Sequence, residues 1–344
     1  MSKVKHINFK VEFEGHGIVN YDSKEQKYLW NRESKEGNKN KFTSVDNNNM
    51  YAKKHYYRDG NGVLQYKIKV SSDALRNAIF RGDAIATNPS ISHHKTLLNS
   101  FIGSPLGLVR GYMFANDETL KRKSPLTITS AIQTNNAESY MEFHSRSGGK
   151  KVGDDSGESD TTIFNKETIG DITYESEGFI NLQNLEFLSA DPIFDRCSFN
   201  PDDFEILKMF LSKTLPNFNS ELGYYNLKTS AIDVAEYGIK LSSENMVYLI
   251  KETLKRILNI SIERSGAYLN TSKLTLQLII DPLNSGNNIN IEINNINDID
   301  NLSFDVEESY ITSDETEAKL QRSVIEKAIM DRVKAKQDAK KTKK

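Results

Sequence analysis

Hydrophobic and polar residues alternate along two N-terminal segments, and this pattern predicts β-strands. Ile7, Phe9, Val11 and Phe13 occupy every second position of the first segment, so they share one face of an extended chain and predict a half-buried strand. The segment 64–70 repeats the alternation. Apolar runs predict three more strands, over residues 106–115, 124–131 and 273–280.

Four other segments show the apolar spacing of an amphipathic helix. They are residues 72–82, 201–214, 243–259 and 315–336. Ser71 or Ser72 can cap the first of these helices, and Asp73 suits the positive end of its dipole. The chain then reads strand, helix, strand, strand, helix, strand, which is the ferredoxin-like order that RRM domains share. The sequence therefore predicts an α+β fold with an RRM-like antiparallel sheet and long loop insertions.

Length and composition bear on the number of domains, on membrane association and on the redox compartment. The chain of 344 residues has room for one elaborated domain or two. No apolar run approaches the ~18 residues that a bilayer span needs, and the first residues do not predict a signal peptide. Its single cysteine, Cys197, excludes an internal disulfide framework and fits a reducing, cytoplasmic compartment.

Charge is distributed unevenly, although the net formal charge is only −2. Residues 274–318 contain ten acidic and no basic side chains, whereas residues 319–344 contain ten basic and three acidic ones, a net charge of +7. The rest of the chain is close to neutral. Bulk charge therefore does not indicate a nucleic-acid partner, and any such binding has to use local patches.

The string VRGYMF, within the strand predicted over 106–115, is the first candidate for such a patch. On an extended strand Arg110, Tyr112 and Phe114 share one face, and a cation beside two rings suits a stacking platform for a single strand. The string partly matches the RRM signature, with Met113 in the position of a small residue. Burial of both rings in a core is the alternative interpretation.

Basic residues near this strand add candidate phosphate contacts. Lys121, Arg122 and Lys123 lie where the chain is predicted to turn back, and the helix 72–82 carries Arg76 and Arg81 on the flanks of its apolar face. Both groups also fit ordinary solvated side chains or arginines that lie over apolar surface.

Motifs for catalysis, metals and cofactors are absent from the sequence. His16 lies between two glycines, which suits the close approach of a ligand as well as a plain turn. The acidic string GDDSGESD lacks the spacing of a calcium loop, and His93 and His94 lack a zinc partner. No P-loop, dinucleotide fingerprint, G-x-S-x-G or HExxH occurs. We therefore predict no cofactor, metal or catalytic residue, while an acid–base pair assembled in space stays open.

Several strings, taken in order, resemble the RAMP-superfamily backbone subunits of CRISPR surveillance complexes (Cascade). VSSDALRNAIFR resembles the family's first helix, GLVRGYMF with KRKSPLTITSAI resembles the strand pair that follows, and DTTIFNKETIGDITYESEGFINLQNLEFLSAD resembles its thumb and return segment. With GHGIVNYD and with FDR at 194–196, the pattern is most similar to the compact type I-F variant. The resemblance covers roughly residues 5–270.

This resemblance implies a domain organisation. Residues 1–281 would form an RRM-like palm, with an inserted loop at 15–62 and a thumb at about 132–175. An acidic extension at 282–318 and a basic amphipathic helical tail at 319–344 lie past the matching strings and depart from the family's pattern. The tail is expected to be a subunit-contact helix or a partly disordered arm.

The resemblance also implies a function without catalysis. Copies would polymerise along CRISPR RNA and present its spacer for pairing with target DNA in antiviral defence, with other Cascade subunits at the filament ends and no membrane partner. Arg76 and Arg81 would hold guide phosphates, and Ile163 and Phe164 are candidates for a thumb wedge between bases. The same groove would be flanked by His16, Arg110 and Lys121–Lys123.

Two other functions stay open at this point. One is RNA cleavage by a type III-like backbone subunit, which would use an aspartate of the long loop such as Asp22, Asp46 or Asp59. The other is a generic single-stranded RNA-binding protein that forms no filament on a guide.

Overall fold

The computed structural model of the chain describes residues 3–22, 50–81, 94–115, 119–147, 161–194, 196–230, 234–283 and 285–341. The strands are β1 His6–His16, β2 Tyr21–Asp22, β3 Tyr51–Ala52, β4 Lys54–Arg58, β5 Leu64–Val70, β6 Tyr112–Ala115, β7 Thr119–Arg122, β8 Leu126–Ile128, β9 Ala131–Gln133, β10 Tyr140–Ser147, β11 Thr161–Thr168, β12 Asp171–Ile180, β13 Phe187–Ser189, β14 Leu222–Leu227, β15 Glu236–Lys240, β16 Ser261–Arg264, β17 Ala267–Ile279, β18 Ile289–Ile293 and β19 Tyr310–Thr312. The helices are α1 Ser72–Ile79, α2 Lys95–Ile102, α3 Leu182–Glu186, α4 Phe204–Thr214, α5 Ser243–Leu258, α6 Ile296–Asp300 and α7 Glu315–Lys341.

The largest sheet is antiparallel and has the strand order β16–β17–β1–β12–β9–β5–β4. β18 also pairs with β17, along residues 274–278, and β8 pairs with residues 178–180 at the C-terminal end of β12. A second antiparallel sheet has the order β13–β15–β14–β19, and three separate ribbons are formed by β2–β3, β6–β7 and β10–β11. The predicted mixture of helices with an antiparallel sheet is therefore confirmed.

The alternation in β1 separates the two faces of the main sheet. Ile7, Phe9, Val11 and Phe13 are all buried, as predicted. They lie on the helix-covered side of the sheet, where α5 packs with its own apolar stripe. Complete burial of such a side chain stabilises the fold by ~1.5–3 kcal/mol. The even positions of β1 point to the opposite face, which carries polar and charged residues.

Helix α1 forms where the sequence predicts it and ends slightly earlier. The Ser71 hydroxyl accepts a hydrogen bond from the backbone N–H of Ala74 at 3.3 Å, which caps the first turn. Leu75 and Ile79 are buried, and Phe80 follows the last helical residue. The apolar face of this short helix therefore fixes where its polar residues emerge.

The strand predicted over 106–115 is wrong in its first half. Residues Leu106–Arg110 form a turn of π-helix, and only Tyr112–Ala115 are extended. Gly111 makes the change of direction with a φ of +75°, and a Cβ atom there would lie 2.5 Å from the carbonyl oxygen of Arg122. Arg110 and Tyr112 therefore do not share one strand face.

Residues 282–318 complete both sheets instead of projecting from them. β18 extends the main sheet and β19 extends the second one. Ile293, Ile299 and Val306 are fully buried, so this acidic segment contributes to the core. The predicted tail helix is confirmed as α7. Among the described residues, no helix is long and apolar enough to cross a membrane.

Candidate nucleic-acid interface

Two of the predicted arginines lie side by side where α1 meets the π-helical turn. Arg76 donates a hydrogen bond from Nη2 to the backbone carbonyl of Arg110 at 2.8 Å. The Nη2 of Arg110 donates to the side-chain oxygen of Asn77 at 2.9 Å. Arg76 and Asn77 are neighbours on α1, so the helix orients both guanidinium groups.

This pair has unused capacity to bind an anion. The Nε of Arg76 is buried and makes no hydrogen bond. Partial burial of the Arg110 guanidinium lowers its pKa below the ordinary value, and the positive charge of Arg76 lowers it further. A phosphate oxygen would give the orphaned N–H an acceptor and would also reduce the repulsion between the two cations.

Two further cations lie near the C-terminal end of α1. Arg81 follows α1 and is exposed. Arg256, on α5, has its guanidinium 5.9 Å from the ring centre of Phe80. The sequence analysis missed Arg256, because only the packing of α5 against α1 brings it near.

His16 lies at the end of β1 and belongs to a different group of side chains. Its Nδ1 is 2.9 Å from a carboxylate oxygen of Asp171, and its ring stacks at 6.3 Å on Tyr268. None of the contacts that the structure gives for His16 is to Arg76 or Arg110. That the three residues flank one groove stays a prediction.

A cationic and aromatic cluster beside His16 was not predicted. Lys166 Nζ lies 5.5 Å and the Arg264 guanidinium 5.7 Å from the ring centre of Tyr21. Burial raises the pKa of Tyr21 to about 12. A cleft of about 470 Å³ is lined by the neighbouring β16–β17 hairpin. Three distant segments meet here, so no local sequence signal marks the cluster.

The rings of VRGYMF pack inward, as in the alternative interpretation. Tyr112 and Phe114 each contact Phe101 with ring centres 5.4 Å apart. The Tyr112 hydroxyl donates to the carbonyl oxygen of Ser198 at 2.6 Å. Burial raises the pKa of Tyr112. This geometry contradicts the predicted stacking platform at Tyr112.

The predicted phosphate contact of Arg122 is also corrected, because the residue is 5 % exposed and each nitrogen of its guanidinium already donates to a backbone carbonyl. It donates to the carbonyl oxygens of Leu108, Phe187 and Leu185, at 3.0, 2.8 and 3.3 Å. Lys121 and Arg122 belong to β7, not to a turn, and Lys123 follows them. Of the three, Lys123 is exposed and Lys121 is half-buried.

The β10–β11 ribbon lies where the thumb is predicted. Ile163 and Phe164 lie in β11, opposite Ser145 and His144, but their side chains are outside the described part of the structure. On β10, Phe143 is 72 % exposed. The sequence analysis missed this phenylalanine, although its alternation with polar neighbours in YMEFHS is visible.

The β4–β5 hairpin presents another unpredicted group of rings and cations. Lys54 Nζ lies 4.5 Å from the ring centre of Tyr66, and Lys67 Nζ lies 5.9 Å from that of Tyr57. Both tyrosines are exposed. Interleaved lysines and tyrosines of this kind suit single-stranded nucleic acid.

Two of the loop aspartates, Asp22 and Asp59, lie within the described residues. Asp22 is 3.7 Å from Lys53. Asp59 closes the β4–β5 turn by accepting the backbone N–H groups of Asn61 and Val63, and the bond from Val63 is the main cause of its lowered pKa. Within the described ranges, no group of three or more His, Cys, Asp or Glu side chains could hold a metal ion. Outside the described residues lie Asp46, His93, Asp195 and the GDDSGESD string.

Comparison with known protein families identifies the chain. Residues 3–281 match the family described as "Type I-Fv CRISPR-associated protein Cas7fv-like". The match spans well over half of the chain, so the protein belongs to this family. It is a Cas7-type backbone subunit that binds CRISPR RNA in a Cascade complex, close to type I-F, and the resemblance drawn from the sequence is confirmed.

Comparison with solved structures gives two similar chains. One, from a "CRISPR RNA-guided surveillance complex", is 9 % identical with a TM-score of 0.35, and the match covers 79 % of this chain and 68 % of that one. The other, from a "CRISPR RNA-guided surveillance complex, pre-nicking", is 10 % identical with a TM-score of 0.39, covering 79 % and 75 %. No curated protein matches the chain.

Proposed function

We propose that the Arg76–Arg110 pair is the site at which each copy of this subunit holds a phosphate of the guide RNA. The observation that carries the proposal is the buried, unpartnered Nε of Arg76 beside a second guanidinium. A buried donor without an acceptor costs ~1–3 kcal/mol. A phosphate satisfies it and matches the planar geometry of both side chains.

The strand order supports an RRM-like palm. β1, β9, β12 and β17 follow one another along the chain, with α1 between the first two and α5 between the last two, and they lie in the order β17–β1–β12–β9. This is the ferredoxin-like arrangement. In the proposed organisation, residues 1–281 are the palm, residues 15–62 are an inserted loop and the β10–β11 ribbon is the thumb. Residues 282–318 complete the two sheets, and 319–344 form a tail.

Phosphate binding leaves base recognition to the nucleic acids. A subunit that holds the backbone at α1 needs no base-specific contacts, so its affinity does not depend on the guide sequence. Its partners are CRISPR RNA, neighbouring copies of itself and the other Cascade subunits, and target DNA joins by pairing with the guide. In this function the subunit has a structural and not a catalytic role.

The test measures binding of fluorescent single-stranded RNA by anisotropy at several salt concentrations. For Arg76→Ala combined with Arg110→Ala, we expect weaker binding to every RNA sequence. We also expect the slope of log K against log salt to fall by ~0.7 for each lost phosphate contact. Lys213→Gln is the matched control, because Lys213 is an exposed cation on α4, remote in sequence from the pair.

An unchanged affinity and slope in the double variant would exclude the pair as a phosphate site. A loss confined to one RNA sequence would also contradict the proposal, since a phosphate site does not distinguish bases. Complementary RNA, incubated with the subunit assembled on its guide and with magnesium and then separated by length, tests the cleavage alternative. Regular cuts that disappear in Asp22→Ala or Asp59→Ala would favour that alternative.

A further inference from the structure

Helix α7 lies outside the part of the chain that matches the family, and its base is held firmly. Ala318 is fully buried. Arg322 forms two hydrogen bonds with the carboxylate of Asp191, which is itself completely buried, and its guanidinium lies 5.5 Å from the ring centre of Tyr224. These contacts fix the direction in which the helix leaves the second sheet.

Beyond this base the helix continues as an arm, defined here as residues 323–341. The complete helix has 27 residues, which at ~1.5 Å per residue gives a length of ~40 Å. The arm contains six basic and three acidic residues. Val324 and Met330 are 67 % and 65 % exposed. A helix without tertiary contacts is only marginally stable in water, so we expect the arm to pack against a partner.

The open face of the main sheet has the opposite character. Side chains alternate between faces, and the register of β12, β1, β17 and β18 brings six carboxylates and only two lysines onto this side. The carboxylates are Glu12, Glu14, Asp171, Glu175, Glu177 and Glu292. We name this surface the acidic face. Within the described part of the chain, Glu14 and Glu177 make no salt bridge.

The acidic face also offers apolar contacts. Phe179, opposite Asn8, and Tyr268, opposite His16, belong to this side, and both rings are partly exposed. The arm presents the exposed cations Lys327 and Arg332 together with exposed apolar side chains. A phosphate backbone would satisfy only the cations, whereas the acidic face matches both features. The observations therefore favour a protein surface over a nucleic acid as the partner of the arm.

We propose that the α7 arm of one copy docks on the acidic face of a second copy. Lys327 and Arg332 are exposed on the arm, so within one copy they are free to meet another surface. Because the arm and the acidic face are different surfaces, the contact is heterologous and can repeat from copy to copy. It goes beyond RNA binding, since it joins subunits without involving the Arg76–Arg110 pair.

The test measures self-association of the RNA-free full chain by sedimentation velocity at low salt. The arm variant is Lys327→Glu with Arg332→Glu, and the face variant is Glu14→Lys with Glu177→Lys. We expect each to weaken self-association about tenfold, because several exposed ion pairs add. A mixture of the two variants brings a reversed arm and a reversed face together, and is expected to associate again.

Single reversals provide the control. Lys327→Glu is compared with Lys213→Glu, an equal charge change at an exposed site on α4, which is expected to leave self-association unchanged. Arg76→Ala is also expected to leave it unchanged, so failure of the phosphate site and failure of the docking surface give different results. Circular dichroism spectra confirm that each variant is folded.

Three results would overturn the proposal. The first is a wild-type chain that sediments as a monomer at low salt at every protein concentration measured. The second is self-association that is equal in wild type and both double variants. The third is an arm variant that loses RNA affinity but keeps its self-association, which would assign the arm to nucleic acid.

Discussion

The side chain of Arg76 and the backbone carbonyl of Arg110 are joined by a hydrogen bond of 2.8 Å, although the residues are 34 positions apart. The bond connects α1 to the π-helical turn that precedes β6. The geometry of the proposed phosphate site therefore depends on both elements. Gly111, with its positive φ, allows the chain to leave this turn in the required direction.

Arg122 is expected to support the fold and not to bind RNA. Burial lowers its pKa to about 10, and three backbone carbonyls hold its guanidinium. Arg122→Met leaves those carbonyls without their donor, so we expect a loss of about 3 kcal/mol in the free energy of unfolding. Urea denaturation measures it. Lys123→Met, one position away and exposed, is expected to change it by less than ~0.5 kcal/mol. Equal effects of the two substitutions would contradict this assignment.

Phe143 is expected to act as a wedge between bases of bound RNA. Because its ring is exposed on the ribbon, Phe143→Ala should change the free energy of unfolding by less than ~0.5 kcal/mol. Guides that carry 2-aminopurine at successive positions report unstacking by their fluorescence. We expect the periodic enhancement in the bound wild type to disappear in the variant.

Met141→Ala serves as the control for this experiment, because Met141 lies two positions earlier on the same side of β10 and is also exposed. It is expected to keep the periodic signal. A signal that survives in Phe143→Ala, and is lost when Ile163 or Phe164 is replaced, would return the wedge to the residues predicted from the sequence.

Glu186 is expected to make stability depend on pH. Burial raises its pKa above the ordinary 4.5, although the backbone N–H groups of Ser309 and Tyr310 and the charge of Lys240 act in the opposite direction. An acid with a raised pKa in the folded state binds more protons when folded. Stability therefore falls as pH rises from the unfolded pKa to the folded one.

Urea denaturation between about pH 4 and pH 7 tests this, with Glu186→Gln as the reference, since glutamine does not titrate there. The free energy of unfolding of the wild type, relative to the variant, is expected to decrease with increasing pH. A difference that stays constant, or that grows with pH, would show that the folded-state pKa is not raised.

Local pattern was sufficient for the elements that pack with one apolar face. The alternation in β1 and the apolar stripes of α1 and α5 predicted both their type and their buried sides. The apolar spacing of α7 predicted a helix, but Leu320 and Val324 of that helix are exposed, so its pattern did not predict a buried side. These signals depend on neighbouring residues alone, so they are legible without knowledge of the rest of the chain.

The errors arose where distant segments decide the environment. Arg122 looks like a member of a solvated basic run, but the carbonyls that bury it belong to Leu185 and Phe187, more than 60 positions away. Similarly, the cations around Tyr21 come from β11 and the β16–β17 hairpin. Arg76 and Arg110 were both predicted to bind RNA from the sequence. The hydrogen bond that joins them was not predicted, because it connects residues 34 positions apart.

The central claim is that Arg76 and Arg110 hold a guide phosphate together, and a cryo-electron microscopy structure of the protein assembled on its CRISPR RNA tests it most directly. The account predicts a phosphate oxygen within hydrogen-bonding distance of Arg76 Nε in every internal copy, with the Arg110 guanidinium beside it. RNA that runs elsewhere, with the Nε of Arg76 still unpartnered or bonded to protein, would contradict the claim.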